Sequence, residues 1–127
     1  MNENSRRWTT SVLEDFPEYS ARLNPAQIHP DSTYYDLENH IVISFQRLQH
    51  VPDAKKYLSE TVSVLTSGDM LLLTCAGPLA EDDGSEYFQV TTMDELREWV
   101  GLDANFVDWN LIYSRDNRDL FLWAVLK

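Results

Sequence analysis

Two stretches of the chain are almost continuously apolar and β-branched or aliphatic. Ile41-Val42-Ile43-Ser44-Phe45 and Met70-Leu71-Leu72-Leu73-Thr74-Cys75 lack the in-out alternation of a half-exposed strand, and this pattern predicts strands covered on both faces, as in parallel sheets. Between them the period changes. Ala54, Tyr57, Leu58, Thr61, Val62 and Leu65 recur at helical spacing and make one apolar stripe. Pro52-Asp53 opens this helix, with the Asp53 carboxylate placed to accept from the free N–H groups of the first turn, and Gly68 suits a left-handed residue after the last one. Strand, helix and strand in immediate succession predict a right-handed βαβ unit with parallel strands.

A polar loop, Ala76 to Glu86, follows. Thr92-Met93-Asp94-Glu95 then has the form of a capping box, so a short helix is expected to run to Val100 and stop at Gly101. Val107, Trp109, Leu111 and Tyr113 occupy alternate positions, Ser114 to Arg118 reads as a turn, and Asp119 to Leu126 reads as a strand, which together predict a C-terminal antiparallel hairpin. The expected order is β-α-β-α-β-β. Upstream the signals are sparser: a short helix over Thr10 to Phe16, with Val12, Leu13 and Phe16 on one side and Pro17 ending it, then Asn24-Pro25 and His29-Pro30, which disfavour helix at the preceding residues. The chain thus divides into an N-terminal arm, 1–35, and an α/β domain, 36–127.

Composition narrows the range of partners. Of 127 residues, 43% are hydrophobic and 12% aromatic, enough for one core, whereas 10 Lys and Arg face 21 Asp and Glu, a net charge of −11. That field repels phosphate backbones and anionic lipid. The basic residues form only short pairs, Arg6 with Arg7 and Lys55 with Lys56, so nonspecific nucleic-acid and membrane binding are not expected. A lone cysteine, Cys75, has no intrachain disulfide partner, and Met1 to Trp8 has no apolar core of a secretory signal, so a cytoplasmic location is expected. The longest apolar run, Leu120 to Leu126, is far shorter than the ~18 to 20 residues that span a bilayer.

The stretch from His40 to Asp53 resembles the "D-L-V-I-S-x-x-x-L-E-H-V-P-D" segment of class I S-adenosylmethionine-dependent methyltransferases. Tyr57-Leu58, Glu60, Val64-Leu65, Gly68 and Leu71-Leu72-Leu73-Thr74 continue in register the "Y-L-x-E-x-x-R-V-L-K-P-G-G-x-L-L-L-T" that follows it. The resemblance implies a partial doubly wound, Rossmann-like sheet, the C-terminal half of such an enzyme, whose last strand inserts beside the one corresponding to Met70 to Cys75. The first half of the pattern is missing. The four glycines, Gly68, Gly77, Gly84 and Gly101, form no glycine-rich loop after a first strand, and no acidic residue follows a second strand to hold the ribose hydroxyls. Within the matched region His40 and Gln49 stand where the family has acidic residues, Ser63 where it has Arg, and Gly68-Asp69 where it has Gly-Gly.

By family position, Phe45, Gln46, His50 and Cys75 are the residues that would face a cofactor at the carboxyl ends of the strands. Read from its own surroundings, His50 is a structural residue, bonding for example a loop carbonyl, and Cys75 a small buried thiol with no base beside it in sequence. His29, His40 and His50 lie 11 and 10 positions apart, which matches no zinc-ligand spacing, and Glu81-Asp82-Asp83 with Glu86 lacks the ligand order of a calcium loop, so no metal is expected. Trp99, Trp109, Phe121 and Trp123 fall at core spacing.

Two functions follow from the resemblance. One is a methyltransferase-like pseudoenzyme without a cofactor of its own, a non-catalytic or regulatory subunit acting by association with a second copy or with a methyltransferase-like partner protein. The other is a methyltransferase whose S-adenosylmethionine pocket is completed by dimerisation or by a partner chain. Both start from the same expectation, that the Ile41 to Phe45 strand has an open edge where the cofactor-binding half would join. The N-terminal arm, with Trp8, Val12 and Phe16, or another chain is expected to cover it.

Overall fold

The computed structural model describes residues 32–36, 40–113 and 117–127. The expected helix over Thr10 to Phe16, the Pro-containing dipeptides of the arm, His29, and the first part of the turn from Ser114 lie outside the described residues. In chain order the elements are β1 (Ser32–Asp36), β2 (Ile41–Phe45), a 3-10 turn (Leu48–His50), α1 (Ala54–Ser63), β3 (Met70–Ala76), α2 (Met93–Val100), α3 (Leu102–Asn105), β4 (Phe106–Tyr113) and β5 (Asp119–Leu126).

Four strands form an open mixed sheet in the order β2-β3-β5-β4, and β1 adds a fifth beside β2. As expected, β2 and β3 are parallel, with Ile41 beside Met70 and Phe45 beside Thr74. The C-terminal hairpin is antiparallel, and β5 lies antiparallel to β3, between it and β4. This is a small α/β domain with a parallel pair and an antiparallel hairpin.

Local chemistry accounts for the helix ends. Lys56 N donates to the Asp53 carboxylate at 3.1 Å, and Thr92 and Glu95 make the reciprocal capping box, with Glu95 N donating to Thr92 Oγ1 at 3.1 Å and Thr92 N donating to Glu95 Oε1 at 3.1 Å. Gly101 ends α2 at φ +77, the left-handed cap expected of it. Gly68 serves differently. It is left-handed, at φ +87, but α1 has already ended with Val64 as its cap, so Gly68 belongs to the turn into β3 rather than to the helix.

The core lies between the sheet and the helices. Val42, Leu71, Leu73, Cys75, Leu120, Leu122 and Ala124 meet Leu58, Leu96, Val100 and Leu102, and Tyr57, Trp99, Trp109 and Leu111 pack against them half-buried. Val107 is a correction: a register shift between Phe106 and Asp108 turns it outward, 67% exposed, instead of inward with Trp109.

The edge of β2 is covered by one of the expected candidates. Ser32 to Asp36 pairs antiparallel with Phe45 to Ile41 along the whole of β2, so the chain itself occupies that edge. The covering residues are the end of the arm and the first residue of the expected domain; Trp8, Val12 and Phe16 lie outside the described residues. A hydroxyl cluster fastens the added strand: Tyr57 on α1 bonds both Thr33 of β1 and Ser44 of β2.

Candidate functional site

The carboxyl ends of parallel strands are where open α/β sheets place their ligands. Here that edge is built from the turn after β2, the turn after β3 and the start of β5. Gln46 leaves β2 with φ +53, a left-handed conformation uncommon outside glycine, and its N–H donates to Thr74 O at 2.8 Å. Its side chain is thereby turned across the sheet. Gln46 Nε2 donates to Thr74 Oγ1 at 3.1 Å and to Asp119 Oδ1 at 3.3 Å, and Gln46 Oε1 accepts from Gln49 Nε2 at 2.7 Å. The chain of amides ends in the backbone, where Ala76 N donates to Gln49 Oε1 at 3.3 Å.

Above this network lies an open cleft of about 270 Å³, with Gln46, Gln49, Glu81, Phe88, Arg118 and Asp119 in its wall. Arg118 reaches Glu81 at 3.6 Å across it. The volume falls just below the 300 to 1,000 Å³ common for ligand pockets, and the amide groups at its base already satisfy one another.

The four expected site residues are dispersed. Gln46 lines the cleft, and Phe45 ends the strand beneath it. His50 faces a neighbouring depression with Arg47, Asp83 and Ser85, where His50 Nε2–H donates to Asp83 Oδ2 at 2.7 Å. Asp83 also accepts from Ser85 N at 2.9 Å, and the Ser85 hydroxyl, His50 and the Ser85 N–H together lower its pKa to about 2. This bond, to a loop carboxylate, ties the acidic loop to the turn after β2. Cys75 stays apart from the cleft, fully buried in the helix-side core, where burial and then the nearby Asp119 push its thiol pKa up. A thiol held protonated is a poor nucleophile.

Thr74, Arg118 and Asp119 were not legible as site residues from the sequence. Asp119 stands 73 positions from Gln46 and meets it only because β5 inserts beside β3. Among the described residues, no group of three or more His, Cys, Asp and Glu side chains is placed to hold a metal ion, and no helix is long and apolar enough to cross a membrane. Compared with protein-family models, with curated proteins and with solved structures, the chain matches none of them.

Proposed function

We propose that the chain is a methyltransferase-like α/β domain of the partial doubly wound type, acting as a non-catalytic or regulatory subunit through association with a second copy or a methyltransferase-like partner. The observation that carries the reading is the insertion of β5, antiparallel, between β3 and β4, beside the strand to which the sequence resemblance assigns it. Two further features favour the non-catalytic form. The place beside β2 where a cofactor-binding half would pair is taken by β1. The carboxyl edge presents an amide network and a small cleft instead of a glycine turn whose backbone approaches a cofactor. Association is favoured by apolar side chains left outside on the terminal strand β4, Val107, Ile112 and Tyr113.

Calorimetric titration of the purified chain with S-adenosylmethionine tests this, and no binding at micromolar concentrations is expected. Micromolar binding near one per chain overturns the reading and favours the enzyme completed by a second chain, with Gln46 and His50 as the first residues to change.

A further inference from the structure

Strand β4 ends the sheet, and among the described residues it pairs with β5 alone. A terminal strand offers its outer row of N–H and C=O groups to any other strand, and proteins usually blunt such a row with Lys, Pro or a cover. Phe106–Tyr113 contains neither Lys nor Pro and carries a single charge, Asp108. Its irregularity, the register shift between Phe106 and Asp108, lies at the start and leaves the rest of the strand regularly paired.

The hydrogen bonds at the end of β5 identify the residues of β4 that own the outer row. Leu126 N donates to Asp69 O at 3.0 Å and Leu126 O accepts from Gly68 N at 2.9 Å, on the β3 side, whereas Lys127 N donates to Asn105 O at 3.0 Å, on the β4 side. Backbone groups alternate in direction along a strand, so Val125, Trp123 and Phe121 face β4 and engage Asp108, Asn110 and Ile112. Trp109, Leu111 and Tyr113 therefore turn theirs outward. The same residues share the helix-side face by alternation, where Trp109 and Leu111 are half-buried and Tyr113 is 37% exposed.

We propose that two copies of this chain pair through β4, antiparallel about a two-fold axis at Leu111, so that their sheets become one. The inference rests on the association proposed above and names its partner. In this register Leu111 meets its own counterpart and Trp109 meets Tyr113, each pair exchanging both backbone bonds. Residues directly opposite share a face, so Leu packs on Leu and Trp on Tyr, the kind of cross-strand pair that stabilises a sheet. The two Asp108 carboxylates stand at opposite ends of the paired row. An unlike partner for a chain of charge −11 would be drawn by basic groups, but this edge offers such a partner one carboxylate. What it offers instead is backbone bonds and an apolar row, and the strand is its own complement in both.

Sedimentation of the full-length chain over a micromolar range, at about 0.15 M salt so that the screening length is ~8 Å, is expected to give the mass of a dimer. A monomer throughout overturns the inference and assigns the association to a different protein. The register is read with two single variants, Asn110→Cys and Ile112→Cys, at exposed positions on the other face of the sheet. These positions face each other across the axis as a non-hydrogen-bonded pair with Cα atoms ~4.5 Å apart, within reach of a disulfide. Like positions are diagonal, ~7–8 Å apart and beyond that reach. Oxidation of an equimolar mixture is expected to favour the mixed disulfide over either like-with-like one by roughly tenfold, and Cys75, 0% exposed, does not compete. No cross-link, or a mixed form that does not exceed the others, overturns the pairing. Titration of the same samples with S-adenosylmethionine keeps the two readings apart: a cross-linked dimer that binds it overturns the non-catalytic reading and leaves the interface standing, and a monomer that binds none does the reverse.

Discussion

A carboxylate that is 1% exposed has to find its hydrogen bonds inside the fold, and Asp69 does so at the turn into β3. It accepts from Thr66 N at 2.8 Å, from Thr66 Oγ1 at 3.0 Å and from His40 Nδ1–H at 2.8 Å. Burial works to raise its pKa, but the Thr66 N–H, the His40 side chain and the Thr66 hydroxyl together outweigh it and hold the group below its ordinary value. The sign of the pH dependence follows. A depressed carboxylate contributes stability that is fully present above its unfolded value, about 3.9, and is lost as the pH falls through the lower folded value. Urea midpoints are therefore expected to fall below about pH 4, and Asp69→Asn should flatten that fall while costing about 1 to 3 kcal/mol at neutral pH through mismatched buried donors. A variant with the same acid slope as the parent would remove Asp69 from this role.

Among the elements, α1 and α2 rest on different supports. Leu58 is fully buried at the centre of the α1 stripe, and Leu58→Ala should cost about 2 to 5 kcal/mol because a cavity remains against the sheet. Thr92 is exposed and acts through its hydroxyl on the first turn of α2; Thr92→Ala should cost only about 0.5 to 2 kcal/mol. Equilibrium denaturation ranks the two, and the reverse order would mean that the packed face of α1 is misassigned. The same contrast explains what the sequence disclosed. The βαβ unit, the capping box and the final hairpin were legible because each is written in a local period or a local cap. Strand β1 was not, because five residues between Pro30-Asp31 and the turn before Ile41 carry too little pattern on their own, and only pairing with β2 makes them a strand. The cleft escaped for a related reason: Gln46, Thr74 and Asp119 come from three strands' ends, and their meeting depends on the order of strands in the sheet. His50 was visible as a candidate, whereas its partner Asp83 was legible only as part of an acidic loop.

At the scale of the whole molecule, the dominant electrostatic quantity is the excess of acid, 21 carboxylate side chains against 10 basic ones, a net −11. Among the described residues, the lysine and arginine ion pairs that oppose it are at the surface: Arg97 with Asp103 at 2.7 Å, Arg118 with Glu81 at 3.6 Å, and Lys56 with Glu60 at 3.9 Å. Added salt acts on both sides of this balance. It weakens each exposed pair, but such pairs are worth only about 0 to 1 kcal/mol to begin with, and the short, two-pronged Arg97–Asp103 contact is the least sensitive of them. It also shortens the screening length from about 30 Å at 0.01 M to about 8 Å at 0.15 M. Repulsion arising from the excess of carboxylates acts over the longer of these distances and opposes the compact state. Self-repulsion is expected to outweigh the loss of the pairs, because it sums over the net excess of acidic charge while each exposed pair contributes little. The urea midpoint is accordingly expected to rise between 0.01 M and 0.15 M sodium chloride at pH 7, and to rise less at pH 5, where partial protonation has already reduced the excess. A midpoint that falls with salt at pH 7 would show that the surface pairs, not the net charge, govern the stability of this fold.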